Sequence, residues 1–429
     1  MADMRFEMRG IGRVAHASIA LDGISVIAGV NNTGKSTVGK AMFSLIDGRF
    51  DLDHRMVDHT KRQITLSVRE NFIDDIDQGY FAGRVTQLQT IQSIVDEYLD
   101  SLDGRDDGRG LIEKLTEADI PLRDADEVRS TVTKELARTV EQYASQRIRT
   151  ELNALFHGDP FSRVVGYGDD SVLSLVDDRG LLARWRTNAK RPPSFKGTVF
   201  DKPNVILVEN PRLADNMQSM GMQHFGFYGL RNFPMAAVRD AAWKFQHERG
   251  DLGQCEVDVL SRIQGISKVD ITPHSGEYDG SMVDHTLAMP EDQPYQSMNA
   301  SMGVKALVTL QLLVQRGAIT ADTVLILDEP EIHLHPEWQI EYARILAYMS
   351  RHMGVHVVVT THSPYFLDAL HTYARHYGFR DRYHVYTPRR EENGMCLFEE
   401  IDEEGQAEYM NALADPFDRL AMVDEDAHE

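Results

Sequence analysis

Apolar residues fall into three regimes along the chain. Residues 4–29 mix apolar and polar positions: Phe6, Met8 and Ile11 precede Gly12, Val14, Ala15, Ile19 and Leu21 follow, and Ile24–Ala28 is nearly unbroken. This pattern predicts two or three short strands, with Asp22-Gly23 as a hairpin-type turn into the last. Val38, Ala41, Met42, Leu45 and Ile46 then recur at helical spacing, and the helix is expected to end at Asp47-Gly48. From about residue 49 to about residue 160 strand patterns vanish. Ile91, Ile94, Val95, Tyr98, Leu99 and Leu102 form one amphipathic face, and residues 103–110 make a polar joint. Val128, Val132, Leu136, Val140, Ile148, Leu152 and Phe156 predict one longer helix from Asp124 to Phe156. A spacing of four drifts around a helix, so a packed helical subdomain is expected and not a coiled-coil arm.

The third regime is mixed, then α/β. Val205–Val208 reads as a buried strand. An apolar helix with Leu307, Leu310, Leu312 and Leu313 leads to the strand Val324–Leu327. A second, with Ile340, Ala343, Leu346 and Met349, leads to the strand His356–Thr360. Near-continuous apolar strands separated by helices predict an α/β fold whose parallel sheet is covered on both faces. Two or three closing strands, a short helix and an acidic tail are expected after Arg382. The domain reading is a discontinuous domain from 1–48 and 161–429, interrupted by a helical insertion subdomain over 49–160.

Composition narrows the class. The 429 residues are 42% hydrophobic and 26% charged, ordinary for a soluble globular chain. No apolar run approaches the ~20 residues of a membrane helix, and the first residues lack a signal-peptide pattern. Two cysteines without metal spacing fit a reducing cytoplasm. A net charge of −22 opposes nonspecific wrapping of nucleic acid, so any such contact needs a local basic patch. One stretch offers it: Arg179, Arg184, Trp185, Arg186, Lys190, Arg191, Phe195, Lys196 and Lys202. Residues 179–202 are therefore a candidate for nucleic-acid contact, with Trp185 and Phe195 placed to stack on bases; the alternative is a solvated cationic surface. The segment 217–235, rich in Met, Phe and Gly, reads as an adaptable packing surface.

The strongest chemistry follows the strand Ile24–Ala28. Gly29-Val30-Asn31-Asn32-Thr33-Gly34-Lys35-Ser36-Thr37 is G-x-x-x-x-G-K-S-T between a strand and a helix, the context a phosphate-binding loop requires. Gly29 and Gly34 permit the backbone turns, successive N–H groups form an anion nest, and the helix adds its positive end. Lys35 is placed to reach the β- and γ-phosphates of ATP, and the Ser36 hydroxyl to bind Mg²⁺. Gly29, Asn31, Asn32, Thr33, Gly34, Lys35, Ser36 and Thr37 are the candidate nucleotide-binding residues. The strand Val324–Leu327 ends in Asp328-Glu329. Asp328 can hold Mg²⁺ next to Ser36, and Glu329 can orient or deprotonate the attacking water. His362, after the next strand, can meet a γ-phosphate and that water. Lys35, Glu329 and His362 are thus the candidate catalytic residues.

Glu329-Pro330-Glu331-Ile332-His333-Leu334-His335-Pro336 and Thr361-His362-Ser363-Pro364 resemble the ABC-type ATPases of the OLD family and their RecF- and SMC-like relatives. The resemblance covers roughly residues 1–47 and 295–365. It implies a P-loop ATPase with an ABC-type mixed sheet, Walker A at 29–37, Walker B at Asp328 and Glu329, a switch histidine at His362 and a D-loop after Pro330. It also implies a signature segment that meets the γ-phosphate of a second subunit. Ser301-Met302-Gly303 is the best match, giving Ser301 and Gly303 as nucleotide contacts; the alternative for Ser301 is a helix cap. His333 and His335 are expected to orient the D-loop, with metal binding the lesser alternative. No Asp-x-Asp after a strand follows His362, so the Toprim nuclease domain of OLD nucleases is not expected. The implied protein hydrolyses ATP, closes as a homodimer or higher oligomer around ATP, and controls a separate effector, such as a nuclease, in bacterial anti-phage defence or DNA repair. A RecF-like DNA-binding repair ATPase, a non-hydrolysing ATP sensor and a transporter cassette are the alternatives.

Overall fold

The computed structural model describes residues 4–72, 81–102, 106–158, 170–188, 191–198, 204–209, 252–273, 285–288, 295–296, 300–315 and 317–412. Segment 217–235, Lys190, Lys202 and the acidic tail lie outside them. The strands are β1 (Arg5–Ile11), β2 (Val14–Ala20), β3 (Ile24–Ala28), β4 (Asp170–Asp177), β5 (Gly180–Asn188), β6 (Arg191–Gly197), β7 (Val205–Val208), β8 (Asp270–Pro273), β9 (His285–Ala288), β10 (Tyr295–Gln296), β11 (Val324–Asp328), β12 (His356–Thr361), β13 (Tyr383–Arg390) and β14 (Cys396–Ile401). Eleven of them form one sheet in the order β6-β5-β4-β1-β2-β14-β13-β3-β12-β11-β7, and β10-β9-β8 form a small second sheet.

The large sheet changes character across its width. β6, β5, β4, β1 and β2 pair antiparallel, whereas β13, β3, β12, β11 and β7 run parallel. β3 and β12 are buried at every position, as expected for strands covered on both faces. Asp22-Gly23 does not close a hairpin. β2 and β3 are separated by β14 and β13, so this turn carries the chain from the antiparallel to the parallel half. Gly23 is required there because a Cβ would lie 2.1 Å from the Arg382 carbonyl oxygen.

Helices follow the strands. α1 (Lys35–Arg49) follows β3 and is almost wholly buried. α2 (Leu52–Asn71), α3 (Phe81–Asp100), α4 (Arg109–Glu117), α5 (Ala125–Leu136) and α6 (Val140–Leu155) follow without an intervening strand. The long helix expected over 124–156 is therefore two. Thr139 and Gln142 exchange hydrogen bonds, Gln142 N–H to Thr139 Oγ1 at 3.2 Å and Thr139 N–H to Gln142 Oε1 at 3.0 Å. That reciprocal capping box starts a new helix at Val140. α7 (Gln254–Ser267), α8 (Met302–Gln315), α9 (Pro336–Tyr348) and α10 (Pro364–His376) complete the larger helices. Among the described residues no helix is long and apolar enough to cross a membrane.

The chain divides into two compact units, Met1–Phe50 with Arg147–Glu429, and Asp51–Gln146. The smaller has its own core from Ile64, Val68, Ile91, Val95, Tyr98, Leu111, Leu115, Val128 and Val132. In the larger, α8, α9 and α10 pack apolar faces with β3, β11 and β12 in one core. The end of α1 meets α6 there. Gly48 allows it, since a Cβ would lie 2.2 Å from Ile148 Cγ1. Arg147 pairs with the buried Asp47, and with Glu151 at 2.7 Å.

Candidate nucleotide site at the ends of β3, β11 and β12

Three adjacent parallel strands, β3, β12 and β11, end at the same edge of the sheet. Open α/β sheets bind ligands at this carboxyl edge. After β3 the chain turns through Gly29 to Gly34 into α1. A Cβ on Gly29 would sit 2.8 Å from Pro388 Cγ, and one on Gly34 2.8 Å from Val14 Cγ2. Gly34 also has φ +102° and Asn32 φ +66°, the left-handed region that a phosphate-cradling turn uses. α1 begins at Lys35 with no side-chain cap and no acidic residue in its first turn. Its N-terminal N–H groups and positive dipole end are thus uncompensated by side chains, which suits an anion. Asn31 and Asn32 are exposed, and Thr33, Ser36 and Thr37 are half-buried along this turn. Thr33 Oγ1 donates to the Val30 carbonyl at 2.9 Å.

Lys35 is buried. Its Nζ donates to the carbonyls of Gly29 at 2.8 Å and Val30 at 3.2 Å, and lies 3.3 Å from Glu329 Oε1. The same carboxylate oxygen is 3.4 Å from His362 Nδ1. Lys35, Glu329 and His362, far apart in sequence, thus meet at one oxygen. Glu329 is held at φ +46°, unusual for a residue with a side chain and a mark of local strain.

Two threonines that the sequence did not single out support the site. Thr360 is opposite Asp328 in the parallel register. Its Oγ1 donates to Asp328 Oδ1 at 2.5 Å and accepts from the Glu329 N–H at 3.0 Å. One hydroxyl therefore fixes both the Asp328 carboxylate and the Glu329 backbone. Thr361 donates to Glu331 Oε1 at 2.5 Å, and the His362 N–H reaches the same oxygen at 3.3 Å. Two hydroxyl residues closing a strand whose centre, Val357–Val359, is aliphatic were the available signal. Ser36 and Asp328 supply one hydroxyl and one carboxylate. That donor set fits Mg²⁺, which takes few protein ligands and completes its shell with phosphate oxygens and water. Among the described residues no group of three or more His, Cys, Asp or Glu side chains could hold a metal ion. His335 instead accepts from the Glu337 N–H at 3.4 Å, at the start of α9.

Ser301 and Gly303 sit at the start of α8. Ser301 is exposed, and its Oγ accepts from the Val304 N–H at 3.4 Å, a weak cap. Gly303 is buried against the segment after β11, where a Cβ would lie 2.9 Å from the His333 carbonyl oxygen. Among the described residues no hydrogen bond joins Ser301 or Gly303 to Lys35, Ser36, Asp328, Glu329 or His362 of the same chain.

The basic stretch departs from expectation. Trp185 is fully buried and Phe195 is buried beside it, opposite each other on β5 and β6. Neither can stack on a base. The alternation of β5 sends Arg184 and Arg186 to the other face, where Lys196 and Arg9 are also exposed.

A family model described as "AAA domain, putative AbiEii toxin, Type IV TA system" matches residues 24–368. No curated protein matches the chain. Among solved structures, an SMC head bound to the C-winged helix domain of ScpA is 10% identical, covering 94% of this chain and 98% of that chain with a TM-score of 0.46. The SMC head domain from Thermotoga maritima is 10% identical, covering 94% and 100% with a TM-score of 0.40. An Smc head domain with an extended coiled coil, bound to the C-terminal domain of ScpA derived from Pyrococcus furiosus, is 10% identical, covering 96% and 100% with a TM-score of 0.43. At that identity and superposition these likenesses add nothing to the family match.

Proposed function

From the premise that the chain belongs to the family described as "AAA domain, putative AbiEii toxin, Type IV TA system", a family of P-loop ATPases, we propose that it binds ATP with Mg²⁺ and hydrolyses it. The meeting of Lys35 and His362 at Glu329 Oε1 carries this reading. Lys35 and the start of α1 bind the phosphates; Glu329 and His362 hold the attacking water in line with the γ-phosphate. Asp328, braced by Thr360, and Ser36 would hold Mg²⁺, which spreads the charge developing on the phosphate oxygens. Purified protein with ATP and Mg²⁺ should release phosphate, and Lys35→Ala and Glu329→Gln should each abolish it. Equal release by the variants would sink the assignment.

The nucleotide acts as a switch between separate and closed dimers. Ser301 lies exposed on α8 without a partner among the same chain's Walker residues, which suits a contact with the phosphate held by a second subunit. Val30, Ile332 and Tyr365, in segments that follow β3, β11 and β12, are large apolar side chains left exposed at the same edge of the sheet. A covering subunit accounts for them. Sedimentation of Glu329→Gln should give a dimer with ATP and a monomer without it. The closed state would engage a separate effector, such as a nuclease, in the cytoplasm, and the family resemblance favours anti-phage defence or DNA repair. A second reading, direct contact with nucleic acid, draws on Arg9, Arg184, Arg186 and Lys196, which make no ion pair among the described residues and face solvent. With Trp185 buried, such binding would be to phosphates alone and steeply salt-dependent.

A further inference from the structure

Glu331 is a buried acid to which the hydrolysis chemistry assigns no role. It is 1% exposed, and its Oε2 has no hydrogen-bond partner among the described residues. A buried carboxyl with an unsatisfied oxygen weakens a core, so its presence calls for a compensating task. Its other oxygen has two donors, both from the segment that carries His362: the Thr361 hydroxyl at 2.5 Å and the His362 N–H at 3.3 Å. Thr361 Oγ1 also accepts from the Ser363 N–H at 3.0 Å.

A second tie runs in parallel. Ser363 Oγ donates to Gln339 Oε1 at 2.7 Å, while Gln339 Nε2 donates to the Leu334 carbonyl at 3.1 Å. Residues 329–335 and residues 361–363, at the tips of β11 and β12, are therefore fastened at two points. Glu331 is the nearer to the chemistry, two residues from Glu329 and bonded to the His362 backbone. It also adjoins Ile332, which is 51% exposed.

We propose that Glu331 is a positioning residue for ATP hydrolysis: its carboxyl fixes the Thr361–Ser363 turn, sets where the His362 ring meets Glu329, and passes to both any shift imposed on Ile332 by a second subunit. The proposal rests on the reading of Glu329 and His362 as the groups that hold the attacking water. Burial pushes the Glu331 carboxyl above the usual carboxylate range, against the pull of the Thr361 hydroxyl.

The test compares the full-length protein with Glu331→Ala, Glu331→Gln, Thr361→Val and Thr361→Ser. One readout needs no turnover: hydrogen exchange of peptides covering 361–367, without nucleotide. Glu331→Ala should speed that exchange about tenfold and leave peptides of β3 and α1 unchanged. The second readout separates kcat from KM for ATP. Glu331→Ala should lower kcat about thirtyfold with KM within about threefold of wild type. Thr361→Val should lose about tenfold and Thr361→Ser almost nothing. The Glu331→Ala/Thr361→Val double variant should lose clearly less than the product of the two single losses, because both changes remove the same Thr361–Glu331 bond. Unchanged exchange at 361–367 would overturn the proposal, as would losses that multiply in the double variant or a parallel fall in nucleotide binding. If Glu331→Ala does not fold, Glu331→Gln and the Thr361 pair decide the same question. Wild-type protein without Lys35-dependent phosphate release would instead overturn the hydrolysis reading and the kinetic role with it, while exchange still reports whether the carboxyl holds the turn.

Discussion

In β5, on the antiparallel side of the large sheet, Ala183, Trp185 and Thr187 point inward while Arg184 and Arg186 point out. In β12, on the parallel side, all six residues are buried. The difference is one of solvent. The antiparallel half keeps one face in water and can display charge along its length. The central strands β3, β12 and β11 are covered on both faces and place their charged chemistry at strand tips, where the chain leaves the sheet. The two polar residues at the end of β12 obey this rule. Thr360 and Thr361 are buried, and each spends its hydroxyl on a carboxylate of the neighbouring segment, Asp328 or Glu331. Polar chemistry in the parallel half is thus concentrated at strand tips, whereas in the antiparallel half charge is spread over a surface.

Substitutions in the two halves should separate accordingly. The largest effect is expected at the strand tips. Lys35→Ala or Glu329→Gln should cut ATP turnover by about 10³-fold or more, equivalent to about 4 kcal/mol of barrier, with the unfolding midpoint nearly unchanged. Next comes the antiparallel core. Trp185→Ala should lower stability by about 3 kcal/mol in chemical denaturation, while turnover per folded molecule stays at the wild-type level. A loss of turnover as large as that of Lys35→Ala would mean that the halves are not separable.

A smaller effect is expected where the halves join. His384 of β13 lies 2.9 Å from Asp22 Oδ1 and 2.7 Å from Glu400 Oε1. Burial lowers its pKa, but hydrogen bonds to both carboxylates outweigh that and raise it to about 9 from 6.5. A value raised on folding means that protonated His384 contributes stability fully below about pH 6.5 and loses it as pH rises through about 9. The stability difference between wild type and His384→Gln should be about 2 kcal/mol at pH 6 and shrink toward zero by about pH 10. A pH-independent difference would mean the ion pairs do not form. The smallest effect belongs to the exposed face. Arg184→Ser and Arg186→Ser should each change stability by less than about 0.5 kcal/mol and leave turnover intact. If either lowers turnover severalfold, that face takes part in the catalytic cycle.

Much of the parallel half was legible in advance. The apolar runs of β3, β11 and β12 exceed anything a one-sided strand carries, and the residues after them, Gly34-Lys35-Ser36, Asp328-Glu329 and His362, have few other uses in that setting. The turn at Asp22-Gly23 was misread because a tight turn shows that the chain reverses or crosses, not which strand lies beside it. The helix over 124–156 was misread because apolar spacing persists through Ala137–Thr139. The signal of the break was the Thr139–Gln142 pair, which outweighs continuity of pattern. Trp185 and Phe195 were read with the cations around them, although alternation in a strand sends neighbours to opposite faces.

The sequence by itself determined the P-loop, the strands that end in its partner residues and the all-helical stretch between them, because these follow from local periodicity and from backbone demands that only certain residues meet. The tertiary structure decided that Lys35 and His362 share Glu329 Oε1, that Thr360 braces Asp328, and that Glu331 holds the His362 turn. Those are bonds between residues about thirty or more positions apart, fixed by the parallel register of β11 and β12 and its neighbour β3. No local pattern encodes them, since a hydroxyl or a buried acid acquires its partner only when the strands are side by side.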